Sequence, residues 1–475
     1  MTLFWSVFLG ALAALALFSV VMVAAMPFID KWLINLTMDR VMKSLVDTRY
    51  SVNLGNALSL IRRGRPQVFL ENMIRATKPS AIERPMGTPL QLSHWEHLMF
   101  SPAQVQKLPT PSRSRLDTTV VIGPGADKPL KCDIPILIAG MSYGGALSAD
   151  TKVALARGAS QAGTATNTGE NYLPAEREAA DRLIVQYHRG TWPLSSQNHP
   201  EWLDTADAIE IQIGQGAQAG AEMKTSAQRI SAEMRNTMGL EEGDDAVISA
   251  RLRGVDTPDD LVELVRRLKK RYRVPVGIKF AVGAHLREDL ELLIPAGPDF
   301  IVLDGGEGGT HAGPPILQDD FGLPLIAALP WADQVLRDHG VRHDVSLIAS
   351  GGLTTPGQFL KAIALGADAV YIGFAALMAM ATSQMRTVLP WAPPEAVFYE
   401  SGTQKHALDT VQAAENLTNY LKSCNQELEM ALQSLGYARL DQVDKRDLFA
   451  LDPWTAAITG VSPIGPQGPG WMPER

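Results

Sequence analysis

Cysteine is scarce in this sequence. Two occur among 475 residues, Cys132 and Cys424, and neither belongs to a CxxC pair or to a cysteine–histidine cluster. This count excludes a disulfide framework, and it excludes an iron–sulfur cluster held by cysteines, because such clusters need more thiolates than the chain has. We therefore expect two reduced, buried thiols, no iron–sulfur cluster and a cytosolic main body.

An excess of positive charge is also missing. The 43 lysines and arginines are outnumbered by 51 aspartates and glutamates, which gives a net charge of −8. A nucleic acid partner is not expected, because binding a polyanion needs a basic surface. The apolar share of 46% and the charged share of 20% are those of a globular protein with room for one large domain and extensions.

Charge is absent altogether from residues 3–28. At a rise of about 1.5 Å per residue, such a run can cross a bilayer core of about 30 Å, so we predict a single transmembrane anchor over residues 1–30. A cleaved signal peptide is the alternative, but no basic residue precedes the run and no clean A-x-A cleavage site precedes Pro27. Basic residues follow it, starting with Lys31, so the positive-inside rule predicts an inner (plasma) membrane protein with a cytoplasmic catalytic domain.

The remainder of the chain divides into three predicted segments. Residues 31–130 would form an interfacial helix over Trp32 to Val46 and an extended collar rich in proline, glycine, arginine and serine. Packing of that helix on the main domain is the alternative. Residues 131–395 would form the main domain, and residues 396–475 a helical extension with a polar tail.

Short apolar runs alternate with helical periodicity from Ile134 onward, which indicates parallel strands joined by crossover helices. The predicted fold class is therefore α/β, a (β/α)8 TIM barrel with an N-terminal transmembrane helix and an extended N-terminal collar. A further apolar stretch, Ala246 to Ala250, exceeds the eight strands and is assigned to a long loop after the fourth. The predicted strands are residues 134–139, 163–167, 183–187, 208–213, 276–281, 299–304, 345–349 and 369–373.

Glycine-rich turns follow the last two predicted strands, as Ser350-Gly351-Gly352 and Gly373-Phe374. Backbone without side chains can approach an anion closely, and amides at a helix start attract it, so these turns predict a bound phosphate group. Lys279 lies in the middle of the fifth strand, where a buried ammonium needs a compensating anion. A reduced flavin would supply one, and the alternatives are a structural acid or solvent.

Four motifs make the chain similar to a known family. Residues 140–148 (GMSYGGALS), 167–170 (NTGE), 210–217 (EIQIGQGA) and 304–306 (DGG) resemble the FMN-binding synthase domain of glutamate synthase. The similarity extends from about Ile134 to Asp452. It implies a TIM barrel that holds FMN and reduces an imine, formed from a 2-oxoacid and ammonia, by hydride transfer from the flavin.

The resemblance also implies roles for single residues. Lys279 would steady the reduced flavin, and Glu170 and Gln215 would act in catalysis on the substrate side. The residues that would bind FMN are Gly140, Met141, Ser142, Asn167, Gln215, Lys279, Gly305, Gly306, Ser350, Gly351, Gly352, Gly373 and Phe374.

The chain departs from the family pattern in several places. Residues 378–392 contain no cysteine where the family has those of a 3Fe-4S cluster, and the glutaminase domain is missing, so a separate protein would supply electrons or ammonia. Gln212 and Gln218 stand where lysines are usual. Arg251 or Arg253 would restore that charge, or lie on the surface, and His311 would bind a substrate carboxylate or be structural.

Metal binding is not predicted. His94 and His97 are three residues apart, but no third ligand is evident from the sequence.

The predicted function is that of an FMN-dependent oxidoreductase acting on CH–NH2 donors. It would convert a 2-oxoacid plus ammonia to an amino acid, with 2-oxoglutarate and glutamate as one such pair, or run the reverse reaction. One alternative is an FMN-dependent 2-hydroxy acid oxidase or dehydrogenase with His311 as its base. The other is a flavin electron-relay subunit of a membrane complex.

Overall fold

The computed structural model describes residues 2–49, 66–77, 79–390 and 392–464. The chain divides into two compact units, Met1–Ile82 and Glu83–Arg475. The first unit contains two helices, α1 (Thr2–Asp47) and α2 (Pro66–Thr77). Part of the predicted collar, residues 50–65, lies outside the described residues.

Helix α1 joins two segments that the sequence analysis separated. It runs for 46 residues and passes through Pro27 without ending, so no break in the helix marks the predicted boundary at residue 30 between the anchor and the interfacial helix. Within the described residues, no helix meets the length and apolarity needed to cross a membrane. The predicted transmembrane anchor therefore finds no support in the structure.

The second unit is built on eight parallel strands. Neighbours in the sheet follow the order β4-β13-β12-β11-β10-β7-β6-β5, and the last strand, β13, pairs with the first, β4. Between β4 and β5 the backbone amide of Ile138 donates to the carbonyl of Ala165 at 3.0 Å, which leaves the barrel nearly closed. The barrel strands are β4 (Ile136–Ile138), β5 (Thr166–Asn167), β6 (Leu183–Tyr187), β7 (Ala208–Gln212), β10 (Val276–Ala281), β11 (Phe300–Asp304), β12 (Ser346–Ser350) and β13 (Ala369–Ile372).

These strands confirm the predicted α/β barrel, because each falls on one of the eight predicted segments. Their residues are almost wholly buried, as expected for parallel strands covered on both faces. The surplus stretch after the fourth barrel strand contains β9 (Ala246–Ile248), which pairs antiparallel with β8 (Met223–Thr225) outside the barrel. The other short strands are β1 (Leu98–Phe100), β2 (Val120–Ile122), β3 (Leu130–Cys132) and β14 (Leu448–Ala450).

The hairpin of β2 and β3 packs one of its faces against residues inside the barrel. Ile122 and Cys132 are buried in one apolar cluster with Leu137, Phe300 and Tyr371 of the barrel strands. Both cysteines, at positions 132 and 424, are free and buried, and burial raises the pKa of each thiol to about 11.

Helices surround the barrel and are started by the predicted caps. Thr257 and Thr355 each form a capping box, with Asp260 and Gln358 respectively. The helices of this unit are α3 (Ala149–Gln161), α4 (Pro174–Ala179), α5 (Pro200–Asp204), α6 (Ala232–Met238), α7 (Pro258–Arg271), α8 (Leu286–Leu293), α9 (Pro315–Asp319), α10 (Leu325–Asp338), α11 (Pro356–Ala364), α12 (Phe374–Ala381), α13 (Met385–Val388), α14 (Thr410–Leu435) and α15 (Pro453–Thr459).

Candidate active site

The carboxyl ends of the barrel strands surround a cavity of about 850 Å³. This is the end at which barrel enzymes place their active sites. The structure brings twelve of the predicted site residues to the cavity wall. They are Gly140, Met141, Ser142, Glu170, Gln215, Lys279, His311, Ser350, Gly351, Gly352, Gly373 and Phe374.

One side of the cavity is formed by bare backbone. Gly351 and Gly352 have φ angles of 122° and 67°, which favour glycine. A Cβ on Gly373 would meet nothing nearer than the Met141 Sδ at 3.7 Å. Helix α12 begins directly after Gly373, so its unpaired amides lie beside these turns. This arrangement leaves room for a phosphate group against the main chain.

Lys279 lies on β10 with its side chain 4% exposed, and its ammonium is 3.6 Å from Asp304 Oδ2. Burial opposes the charged form, but the carboxylates of Asp304, Glu210 and Glu170 outweigh it, so the pKa of Lys279 is raised. The sequence analysis assigned the compensating anion to a reduced flavin. The structure places a protein carboxylate, that of Asp304, beside this ammonium, which was one of the stated alternatives, and the role toward a flavin stays a prediction.

Asp304 connects three parts of the site. Its Oδ1 accepts a hydrogen bond from Ser350 Oγ at 2.6 Å, and its Oδ2 accepts one from the Gly216 amide at 2.9 Å. Because it also faces Lys279, this carboxylate ties β10 to the phosphate turn and to the loop after β7. The sequence analysis missed this role, although an acid at the end of a buried strand was a usable signal.

The loop after β7 places amide side chains on the cavity. Gln215 and Gln218 both direct their Nε2 to Thr310 Oγ1, at 3.5 Å and 3.0 Å. Deeper in the barrel, Gln212 Nε2 donates to Glu170 Oε1 at 3.3 Å. This hydrogen bond holds the carboxyl group of Glu170 at the wall of the cavity.

His311 follows Thr310 on the cavity wall. Its ring contacts that of Tyr399 with centroids 4.5 Å apart, and its buried Nδ1 has no hydrogen-bond partner among the described residues. Burial lowers the pKa of His311, and the nearby Arg229 charge lowers it further. The imidazole is therefore neutral near pH 7, with a polar atom available for a ligand.

Four predicted site residues do not reach the cavity wall. Asn167 lies inside the barrel, where its Nδ2 donates to Glu210 Oε1 at 3.1 Å. Gly305 and Gly306 lie behind the wall, bonded through their amides to Ser350 and Leu323. They can support the turns but do not face the cavity.

Arg251 is the fourth of these residues. Its side chain is 69% exposed and lies 3.8 Å from Asp256 Oδ1. The prediction that Arg251 provides the substrate charge therefore has no support, because its guanidinium is on the outer surface. Its neighbour Arg253 contacts Asn198 instead, at 3.4 Å.

The segment between β7 and β10 is a wall of the cavity that the sequence analysis did not foresee. Its hairpin of β8 and β9 contributes Met223 and Ile248, its helix α6 contributes Met234, and the turn between β8 and α6 contributes Arg229. The surplus apolar stretch at Ala246 was the sequence signal for this element.

His94 and His97 have a third neighbour that the sequence analysis overlooked. Possible ligand atoms of His94, Glu96 and His97 lie within 4.8 Å of one another. These side chains already have partners, since His94 Nδ1 lies 3.1 Å from Glu96 Oε1 and His97 Nδ1 lies 2.9 Å from Asp452 Oδ2. The absence of a third ligand was therefore the wrong reason for predicting no metal.

His188, at the end of β6, is wholly buried and stacks on Trp192. Burial lowers its pKa to about 3. In the unfolded chain this histidine binds a proton near pH 6.5, whereas in the folded chain it stays neutral at that pH. The free energy of unfolding should therefore fall by up to about 1.4 kcal/mol per pH unit below pH 6.5. Urea unfolding from pH 7 to 4.5 should give a shallower decline for His188→Asn, and equal slopes would contradict this assignment.

Comparison with known proteins agrees with the geometry. A family model described as the conserved region in glutamate synthase matches residues 87–438. The chain belongs to the glutamate synthase family. It is 34% identical over 413 residues to the glutamate synthase large subunit-like protein of Rhizobium meliloti (strain 1021), covering 82% of this chain and 91% of the relative.

A second family relative and one solved structure extend this comparison. The archaeal-type glutamate synthase [NADPH] of Thermotoga neapolitana is 32% identical over 343 residues, covering 71% of this chain and 67% of the relative. A crystal structure described as a lactate oxidase of Pediococcus acidilactici has a TM-score of 0.51 at 16% identity, covering 75% of this chain and 84% of that one. This last likeness shows the barrel fold alone.

Membership of the family makes the chain an FMN-dependent oxidoreductase of the glutamate synthase type. The residues present fit that cofactor. The turns at Gly351, Gly352 and Gly373 leave main chain open to a phosphate, and Lys279 puts a buried cation on the same cavity. Electron-rich flavin rings are stabilised by such a charge.

Proposed function

We propose that the protein reduces a 2-imino acid, formed from a 2-oxoacid and ammonia, to the amino acid, or catalyses the reverse. The observation that carries this proposal is that Lys279, Glu170 and Gln215 line the same cavity as the glycine turns. FMN, when bound, supplies or accepts the hydride. The protein then has to bind the acid, keep water away and move protons.

Main-chain groups and side chains on the cavity divide these tasks. Ser350, Gly351, Gly352 and Gly373 would hold the phosphate of FMN. Lys279, kept charged by Asp304, would stabilise the negative charge of the reduced flavin ring.

Glu170 would exchange the proton on the substrate nitrogen. The residue is 7% exposed, and among the described residues its carboxylate has one hydrogen bond, from Gln212, so it can accept a second. Gln215 would orient the substrate by its amide, which already reaches the cavity wall at Thr310.

Two further parts of the proposal concern electrons and location. We assign electron supply to a separate donor, because residues 378–392 carry no cysteine that could hold a cluster beside the flavin. We also propose an inner-membrane location with a cytoplasmic barrel, which rests only on the uncharged run of residues 3–28 and the basic residues after it.

The test uses the purified full chain with FMN. Photoreduced enzyme should be reoxidised anaerobically by a 2-oxoacid plus ammonium, followed at the flavin absorbance, and not by either compound alone. Formation of the amino acid in equal amount would establish the reaction. Reoxidation that needs no ammonium, or none with any 2-oxoacid, would contradict the proposal.

A 2-hydroxy acid oxidase is the second candidate, because His311 has an unpartnered ring nitrogen on the cavity. That reaction predicts reduction of oxidised flavin by 2-hydroxy acids and its loss in His311→Ala. Reduction by amino acids that survives in His311→Ala would favour the first candidate.

A further inference from the structure

A turn on the surface of the barrel unit brings together three side chains of the kind that bind metal ions. His94 Nδ1 lies 3.1 Å from Glu96 Oε1, and His97 Nε2 lies 4.0 Å from the same oxygen. Ligand atoms of all three residues lie within 4.8 Å of one another. Ligands of a tetrahedral zinc ion lie about 3.3 Å apart, since each is about 2.0 Å from the metal. Small side-chain rotations would therefore give the spacing that zinc requires.

The main chain of this turn is held in place. The amide of His97 donates to the carbonyl of His94 at 3.0 Å and closes a turn of 3-10 helix over Trp95–His97. Between the candidate ligands, the Trp95 side chain is buried in the main apolar core, and its carbonyl accepts a hydrogen bond from Lys361 Nζ at 2.8 Å. Because the backbone is already ordered, little further ordering would oppose the binding of an ion.

Two further side chains orient the candidate ligands. His97 Nδ1 lies 2.9 Å from Asp452 Oδ2, which leaves Nε2 as the ring nitrogen on the side of Glu96. Asp452 is itself fixed, because its Oδ1 accepts hydrogen bonds from two amides at the start of α15. Gln91 Nε2 donates to Glu96 Oε1 at 2.7 Å. Metal ligands commonly have such second contacts, and a carboxylate beside the outer nitrogen of a zinc-binding histidine is a standard arrangement.

The charges at this turn suit a divalent cation. Glu96 and Asp452 place two carboxylates beside two imidazoles. Imidazole nitrogen and carboxylate oxygen are common ligands of zinc, and three of them with one water molecule complete a tetrahedral site. His94 and Glu96 are exposed and His97 is half-buried, so an ion can enter from solvent.

We propose that His94, Glu96 and His97 bind one zinc ion, with water in the fourth position, and that this ion fixes the segment that precedes β1. Residues 89–93 of that segment line the cavity. None of the three candidate ligands is among the described residues of the cavity wall, so this inference does not depend on the proposed function. The zinc ion would be structural.

The experiment measures zinc binding to the full chain with FMN, purified without a histidine tag and freed of metal with a chelator. Zn²⁺ alone is titrated by calorimetry, and about one equivalent should bind to the wild type. His94→Gln and His97→Gln should each weaken binding by about 10-fold or more, because each removes one of three ligands. Asp452→Asn keeps a side chain that can cap α15 but removes the charge beside His97, so it should weaken binding by about 10-fold.

His199→Gln is the matched control. His199 Nδ1 lies 2.6 Å from Glu201 Oε1, so this is also an imidazole paired with the carboxylate two residues later, but no third ligand adjoins the pair in the part of the chain that the structure describes. This variant should bind zinc as the wild type does. Equal weakening in His199→Gln and His94→Gln would show nonspecific binding to surface histidines and overturn the inference. So would a wild type that binds no zinc, or unchanged binding in His97→Gln.

Thermal unfolding tests whether the ion holds the segment in place. Zinc should raise the Tm of the wild type and leave that of His94→Gln unchanged, because only a ligand that binds the folded chain more tightly than the unfolded chain stabilises it. Without zinc, the two proteins should unfold within about 2 °C of each other, since His94 is exposed. That comparison separates loss of a ligand from loss of the fold. Zinc binding at the turn that leaves the wild-type Tm unchanged would overturn the structural role.

Discussion

Replacing Gly373 with valine should release FMN while the fold stays intact. In the protein alone a Cβ here has room, since the nearest atoms are Met141 Sδ at 3.7 Å and Ala139 Cβ at 4.0 Å. The residue's φ of −118° is negative, so a side chain here does not require the left-handed region that favours glycine. Only a phosphate drawn against the main chain would collide with the new methyl groups, so we expect FMN affinity to fall by at least about 100-fold.

Ultrafiltration of the holoprotein and the ratio of flavin to protein absorbance measure this loss. Gly357→Val is the matched control, because a Cβ there meets no atom within 4 Å and the residue lies on α11, away from the cavity wall. Both variants should unfold in urea within about 1 kcal/mol of the wild-type apoprotein. Full retention of FMN by Gly373→Val would show that the phosphate is bound elsewhere.

Gly351 would be a poorer choice for this test. Its φ of 122° is unfavourable for any other residue, and a Cβ would lie 3.2 Å from the amides of Gly305 and Gly308. A substitution there would strain the protein whether or not it binds a phosphate, so loss of FMN would not identify the cause.

The barrel itself could be predicted from the sequence because strands buried on both faces appear as short, continuous apolar segments. Segments such as Phe300–Asp304 are short, apolar and separated by capped helices, and each of these signals lies within a few residues. The glycine turns were predictable for the same reason. The ability to adopt a positive φ, or to leave the main chain uncovered, is a property of glycine itself.

Side-chain partners could not be predicted in this way. Lys279 pairs in register with Val302, and its ammonium reaches Asp304 two residues further along the neighbouring strand. That contact depends on strand order and register, neither of which is written in the residues near position 279. The position of the arginines has a similar cause, since the fold of the segment that carries the hairpin of β8 and β9 leaves Arg251 away from the cavity wall and puts Arg229 on it.

Replacing Lys279 with glutamine should lower kcat by about 100- to 1000-fold, the usual cost of removing a charge aimed at the transition state. The cost in folding should be modest, because Asp304 keeps its hydrogen bonds from Ser350 Oγ and the Gly216 amide. The variant should also take up electrons less readily, since the reduced flavin loses its stabilising cation. Single-turnover reduction and the flavin reduction potential measure these effects.

The chain offers a matched control in a second buried pair. Lys152 lies 2.9 Å from Glu176, both side chains are wholly buried, and neither lies on the cavity wall. Lys152→Gln should reduce the free energy of unfolding by about 3 kcal/mol or more, because Glu176 loses its buried counter-charge. Its folded fraction should keep the flavin potential and nearly the wild-type kcat. The two lysines thus predict opposite patterns, a catalytic loss at Lys279 and a stability loss at Lys152. If Lys279→Gln instead behaved like Lys152→Gln, its ammonium would be a structural partner of Asp304 with no part in flavin chemistry.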